Sequence, residues 1–426
     1  MSERNLYCFI LGRNPALSVA EIVTVLEKDI SKVTWISERV MAVELNKGIV
    51  NTESLMESLY GTTKIVRVLD IIKTSILKRE IERTFTAANL QRYYFPENSK
   101  KFIFGISFYN LNVRVSTFRN LLKQARSLNY LIKEKIEKAG TKCGFLKIDK
   151  KEVSSGSIKR NQLLEKGADI VIVTGQAETF LGKTIAIQKF AEYEWRNYHR
   201  PVRDLKSGMM PIKLARTMIT LAQTEKEETV LDPFCGSGTI LQELILLGFK
   251  KIIGLDNSEK AVANAKKNID WLFEQYPVLD KSRISLKILT QDARKMDEII
   301  PPNSIGTIIS EPYLGPLREK QPRQEEITNT IKELSSLYLD FFFQAFNVLK
   351  LEGRVVIIFP CFRLNKKFVF LKILDEIKKI GFLLENPLPE ELYRFPVIKC
   401  NLRKSLLFIK EKQIVIREVL IFRKSS

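Results

Sequence analysis

One stretch constrains this chain more than any other. Residues 230–247 read V-L-D-P-F-C-G-S-G-T-I-L-Q-E-L-I-L-L. An apolar run ends in Asp232, two small pivots follow at Gly236 and Gly238, and an amphipathic segment then runs to Gly248, which sits at a C-cap position. Strand, tight turn and helix in that order open a doubly wound α/β sheet. Glycine lets backbone approach a ligand that a side chain would exclude, and the first N–H groups of the helix face its polar end. A second apolar run, 251–255, ends in Asp256, about 20 residues past the glycines, where a carboxylate can grip a ribose diol.

The loop is neither a dinucleotide fingerprint, since G-x-G-x-x-G is absent, nor a phosphate loop, since no Gly-Lys-Ser/Thr follows. Asp232 would repel a pyrophosphate. A ligand carrying an ammonium or sulfonium group and a ribose suits it better, and S-adenosyl-L-methionine is such a ligand. A third run, 284–289, leads to Gln291, Asp292 and Ala293, where a carboxylate can accept from an adenine amino group. The cofactor-contact candidates are therefore Asp232, Pro233, Phe234, Gly236, Gly238, Asp256, Asn257, Asp292 and Ala293. The competing reading is a structural βα turn in another α/β protein, with Asp292 an ordinary turn residue.

At 426 residues the chain has room for two or three domains. Its formal net charge of +20 favours a polyanion, either nucleic acid or an anionic membrane surface. No apolar run reaches the ~18 residues of a membrane span. The opening M-S-E-R-N-L-Y lacks a signal peptide's layout, which gives a cytoplasmic expectation. Cys8, Cys143, Cys235, Cys361 and Cys400 are scattered without a C-x-x-C pair and read as free thiols. The single histidine, His199, speaks against a zinc site and against a Ser-His-Asp triad, so no metal is expected.

Residues 1–73 alternate as β-α-β-β-α-β, the ferredoxin-like plan. Ser18 and Glu21 read there as a capping box. This part carries no catalytic cluster and reads as a packing or spacing domain. Residues 74–190 contain a helix over 78–92, a long basic helix over 115–138 that includes Arg119 and Lys123, and the segment S-S-G-S-I-K-R-N. Lys159 and Arg160, near the start of a short helix, could meet phosphates through charge and backbone N–H groups. A solvated helix face is the alternative, since Glu134 and Glu137 dilute the basic run. Residues 191–210 read as a polar linker. In 211–426, a long helix over 325–349, a basic helix over 367–379 and a terminal hairpin complete the sheet.

The string D-P-F-C-G-S-G-T resembles the cofactor motif of Rossmann-like methyltransferases that act on nucleic-acid amino groups. G-A-D-I-V-I-V, L-G-K-T-I-A-I-Q-K-F and R-P-V-R-D look like the end of a THUMP domain running into its methyltransferase. A ferredoxin-like part, THUMP and such a methyltransferase together resemble the tRNA guanosine-10 N2-methyltransferases of archaea and eukaryotes. The resemblance implies S-adenosyl-L-methionine as cofactor, tRNA held at its acceptor end by the THUMP-like part, and methylation of a guanosine N2 amino group. Eukaryotic members use a small activating subunit. In this family S-G-M-M-P-x-K-L-A closes one wall of the cofactor pocket, which makes Met209 and Met210 candidates for that wall.

Enzymes of this kind carry Asp/Asn-Pro-Pro-Tyr/Phe after the fourth strand, for a physical reason. An aromatic amine delocalises its lone pair into the ring and is a poor nucleophile. A side-chain acceptor and a backbone carbonyl take its N–H protons, while the aromatic residue stacks on the flipped base. Proline stiffens the turn, and catalysis is mostly placement and electrostatics. Here the residues are Ser310, Glu311, Pro312 and Tyr313, so the acceptor is either the Glu311 carboxylate or the Ser310 hydroxyl. Methylation of ribosomal RNA or of a DNA base amino group is the nearest rival. A catalytically silent RNA-binding protein, suggested by the altered Ser-Glu-Pro-Tyr, is the third reading.

Overall fold

The structure is a computed structural model that describes residues 5–95, 101–123, 125–147, 151–203, 209–316, 322–364, 367–398, 403–410 and 413–425. The chain forms two compact units: residues 1–189 with 390–399, and residues 190–389 with 400–426.

The first unit begins with β1 (Leu6–Leu11), α1 (Pro15–Leu26), β2 (Ile30–Ile36), β3 (Val40–Leu45), α2 (Thr52–Ser58) and β4 (Thr62–Lys73). It continues with α3 (Leu77–Thr84), α4 (Ala87–Tyr93), β5 (Lys101–Asn110), α5 (Val115–Lys123), α6 (Ala125–Lys138), β6 (Lys142–Phe145), α7 (Ser155–Arg160), β7 (Gly167–Thr174) and β8 (Glu178–Ile187). All strands share one eight-stranded sheet in the order β2-β3-β1-β4-β8-β7-β5-β6. The apolar runs of β1 and β7 are buried along their whole length, as central strands require.

The β-α-β-β-α-β order over 6–73 is present, with β1 antiparallel to both β3 and β4. No break separates it from the strands after residue 73. The long β4 pairs with β8 from Lys64↔Ile187 to Lys73↔Glu178, so the stretches expected as separate domains on either side of residue 73 join in one sheet. Inside that sheet Lys64 Nζ lies 2.8 Å from an Asp169 oxygen, and Ser107 and Thr184 each donate to Asp169 at 2.6 Å. One satisfied buried cluster thus ties β4, β5, β7 and β8 together.

Three local expectations are corrected. Pro15 at the first helical position starts α1 ahead of Ser18, so Ser18 and Glu21 lie inside the helix. They hold Gly61 instead: Ser18 Oγ donates to its carbonyl at 2.9 Å, and Glu21 accepts from its N–H at 2.8 Å. The basic helix over 115–138 is two helices, α5 and α6, with residue 124 between them outside the described residues. The helix expected over 78–92 is α3 and α4, with Thr86 capping the second.

The second unit comprises α8 (Phe190–His199), α9 (Ile212–Ala222), β9 (Thr229–Asp232), α10 (Thr239–Leu246), β10 (Lys251–Asp256), α11 (Glu259–Gln275), β11 (Ser285–Thr290) and β12 (Ile305–Ser310). After these come α12 (Gln324–Val348), β13 (Leu349–Leu364), β14 (Lys367–Phe370), α13 (Leu374–Ile380), β15 (Phe382–Glu385), β16 (Leu406–Phe408) and β17 (Val415–Lys424). The sheet runs β11-β10-β9-β12-β13-β17-β15. The first five strands are parallel and β17 is antiparallel to both its neighbours. Strand order reverses between β9 and β12, the switch point at which doubly wound sheets bind ligands beyond the strands' carboxyl ends. Phe341 and Phe342 of α12 pack edge-to-face with each other, and Phe342 does the same with Phe382 and Phe422.

The expected linker over 191–210 begins as a helix, α8, and its stretch 204–208 lies outside the described residues. Arg196 faces inward and is 1% exposed, bonded to Glu192 and to Glu243 of α10. A polar residue buried by a distant partner gives no apolar periodicity to read. The basic helix expected over 367–379 is the strand β14, which folds back on β13, followed by the short α13. Phe368, Val369 and Phe370 are strand formers. The terminal hairpin is present as β16 and β17.

Candidate active site

Asp232 ends β9 and is 1% exposed. Its Oδ1 accepts from the Phe234 N–H at 3.2 Å and from the Ser310 hydroxyl at 2.6 Å. Burial pushes the Asp232 carboxyl up to about 7; the Ser310 and Phe234 hydrogen bonds oppose the rise, and the charges of Asp256 and Glu311 add to it. The next loop turns on Gly236 and Gly238, whose φ of +52° and +80° favour glycine. A Cβ on Gly236 would meet nothing within 4 Å, which is open space over the loop, whereas one on Gly238 would crowd Ala265 at 3.2 Å. Gly238 is the N-cap of α10.

Asp256, at the end of β10, binds back to this loop. One oxygen accepts from the Gly236 N–H at 2.9 Å, the other from the Ser258 N–H at 3.0 Å, and Ser258 caps α11. The β10 backbone continues the link: Cys235 N–H donates to the Leu255 carbonyl and Gln291 N–H to that of Asp256. Asp292 comes after β11 and caps a short turn over 293–298. Its carboxylate pairs with Arg294 at 2.6 Å, and that partner holds it below its ordinary range. The three carboxylates thus stand at the ends of three adjacent parallel strands.

Ser310 ends β12, fully buried, and its hydroxyl joins the ledge to Asp232. Glu311 turns to β17, where the Arg417 guanidinium grips its carboxylate. Burial pushes the Glu311 carboxyl up; Arg417 and, more weakly, Lys410 pull it back. Pro312 is buried, whereas Tyr313 is 57% exposed and its ring is available for stacking. The Tyr338 hydroxyl lies 3.3 Å from the Tyr313 carbonyl and 3.2 Å from that of Ile358, which fixes the ledge to α12 and β13.

The sequence missed Arg417 and Tyr338. Arg417 lies 106 residues from Glu311, and nothing in its own stretch signals a partner. Of the basic candidates, Arg119 and Lys123 are exposed on α5, and Lys159 and Arg160 are exposed on α7. The last two occupy the final turn of α7 and not its start. Ser154 caps that helix by accepting from Ser157 N–H at 3.1 Å, and Lys159 and Arg160 sit at the carbonyl end, where the helix dipole suits cations. Among the described residues no group of three or more His, Cys, Asp or Glu is placed to hold a metal ion, and no helix is long and apolar enough to cross a membrane.

A sheet of parallel strands with the antiparallel β17 near its edge, a glycine loop after β9 and carboxylates at successive strand ends define a Rossmann-like methyltransferase fold. Residues 224–393 match the family described as a methyltransferase domain, and residues 144–267 match one described as a DNA methylase. The tRNA (guanine(10)-N2)-dimethyltransferase of Methanocaldococcus jannaschii is 30% identical over 174 residues, which is 40% of this chain and 47% of that protein. The protein of the same name from Pyrococcus abyssi is 30% identical over 165 residues, 39% of this chain and 41% of that one. The matches therefore span less than half the length of these curated relatives. TrmN from Thermus thermophilus covers 98% of this chain and 99% of its own at a TM-score of 0.54 and 16% identity, which shows the fold alone. The family resemblance read from the sequence is thus met by relatives that carry the name tRNA (guanine(10)-N2)-dimethyltransferase.

Proposed function

We propose that this protein is an S-adenosyl-L-methionine-dependent methyltransferase that modifies the N2 amino group of a guanosine in tRNA, at position 10. The observation that carries the proposal is the 2.6 Å bond from Ser310 to Asp232, which joins the cofactor-type loop to the turn of buried Pro312 and exposed Tyr313 at one end of one sheet. The loop residues fit the cofactor: Gly236 leaves open space, Asp256 offers a carboxylate for hydroxyl groups, and Asp232 is a buried acid that a cation would help ionise. When bound, the cofactor supplies an electrophilic methyl group on a sulfonium.

The remaining work falls to the chain's own residues. Asp256 and Asn257 hold the ribose side, Asp292 and Ala293 the base of the cofactor, and Pro233 and Phe234 the wall between. Tyr313 stacks on the extruded guanine and Pro312 fixes the turn. Glu311, anchored by Arg417, accepts an N–H of the amino group, and the backbone carbonyl of Glu311 or Pro312 takes the other. Ser310 is fully buried with its hydroxyl turned to Asp232, whereas Glu311 is partly exposed and its carboxylate keeps acceptor lone pairs beyond those that Arg417 takes, which favours Glu311 as the side-chain acceptor. Arg119, Lys123, Lys159 and Arg160, with the excess of positive charge, contact tRNA phosphates. The names of the relatives support position 10, and the match to a DNA methylase family favours a DNA base amino group as the second reading.

The test is incubation with methyl-labelled cofactor, bulk tRNA and added DNA, followed by nucleoside mass spectrometry. Label on guanosine N2 is the expected result. Label only on adenine or cytosine of added DNA would support the second reading, and bound but unreacted cofactor would refute both.

A further inference from the structure

We infer that Arg200 receives the carboxylate at the amino-acid end of the cofactor. The inference rests on the cofactor assignment proposed above. Arg200 is 3% exposed, and its Nη1 donates to Thr239 Oγ1 at 2.8 Å. Thr239 is the first residue of α10, directly after Gly238, so the guanidinium stands at the N-terminus of the helix that the glycine loop opens. Its Nη2 lies 3.1 Å from the Met209 sulfur, a weak acceptor. Its Nε is buried without a hydrogen-bond partner.

The charge balance around α10 points the same way. Three guanidinium groups, those of Arg196, Arg200 and Arg216, are buried on this side of the unit. Glu243, one turn into α10, is the buried carboxylate among them and is bonded to Arg196 and Arg216. Among the described residues no carboxylate forms an ion pair with Arg200. A buried charge is retained where something compensates it. The N-terminal N–H groups of α10 add positive potential at the same place. Two cationic features converge there, and their complement is an anion.

S-adenosyl-L-methionine carries one anionic group, its carboxylate. Its ammonium, sulfonium and ribose suit the acidic side of the loop, where Asp232 and Asp256 stand. Arg200 and the acidic pair together would fix which way round the amino-acid end lies. The segment that carries Arg200 is also bolted to the loop. Asn268, fully buried on α11, accepts from Val202 N–H at 2.9 Å and donates to the Val202 and Ser237 carbonyls at 3.0 and 2.9 Å. Arg200 is therefore part of a fixed wall.

The test compares calorimetric affinities for S-adenosyl-L-methionine and for its decarboxylated form, which keeps the sulfonium and the amine. Wild-type protein should prefer the intact cofactor by about 10- to 100-fold, the range of a charge-assisted hydrogen bond. Arg200→Gln should remove that preference while leaving the decarboxylated form within about threefold of wild type. Arg200→Lys, which keeps the charge and loses the planar fork, should fall between. The wild-type comparison needs no variant, so it stands even if Arg200→Gln does not fold. Equal affinity of wild type for the two ligands, or an equal loss for both in Arg200→Gln, would overturn the inference alone. Wild type that binds neither ligand would refute the cofactor assignment itself.

Discussion

Replacing Asp232 with Asn should stabilise the ligand-free second unit above neutral pH while weakening the cofactor. The side chain is isosteric, and its oxygen still accepts from Ser310 and Phe234. What disappears is a carboxyl held at about 7 by burial against an ordinary value of 3.8. A carboxyl raised in the folded state binds its proton more tightly there than in the unfolded chain. Stability is therefore full below the unfolded value and declines as pH climbs through the folded one. At about 1.36 kcal/mol per pH unit, the interval from 3.8 to about 7 corresponds to roughly 4 kcal/mol, and local relaxation should leave about 2–4 kcal/mol. The assay is urea unfolding at pH 4.5 and pH 8, monitored through the stacked Trp195–Trp271 pair, which reports on this unit. Asp232→Asn should be close to wild type at the lower pH and clearly more stable at the higher. A gap that does not change with pH, or a variant less stable than wild type at pH 8, would refute the electrostatic account of Asp232.

Tyr313→Ala should lower turnover by about 100-fold while cofactor affinity stays within about threefold, measured by labelled-methyl transfer and calorimetry; undiminished turnover would remove Tyr313 from the stacking role. Asp256→Ala should weaken cofactor binding by about 1–3 kcal/mol, and wild-type affinity in calorimetry would take Asp256 out of the site. Asp169→Ala leaves the buried Lys64 ammonium without its carboxylate and should cost the first unit about 3–5 kcal/mol in urea unfolding. Converting Arg119 and Lys123 to Gln should weaken tRNA binding across sequences and reduce the slope of log affinity against log salt by about 2.

The parts of the candidate site that the sequence made legible are those whose signal is local. Asp232 and Asp256 each end an apolar run, and the loop after Asp232 holds two glycines, so strand end, turn and helix could be read within about 30 residues. Tyr313 was legible for the same reason, beside a proline at the end of a buried strand. The features that could not be read depend on partners far away in the chain. Arg417 engages Glu311 from β17, and Arg196 is buried in α8 because Glu243 of α10 receives it. The single sheet of the first unit rests on the β4–β8 pairing across more than a hundred residues. Even the Ser18–Glu21 spacing, which matches a capping box, was overridden by Pro15 and by the backbone of Gly61.

The most direct test of the central claim is the methylation state of tRNA from cells lacking this protein, mapped by nucleoside mass spectrometry of defined fragments. N2-methylated guanosine should be missing at position 10 and should return with the wild-type gene, though not with Tyr313→Ala. An unchanged modification at that position, with loss of a methyl group from ribosomal RNA or DNA instead, would contradict the account.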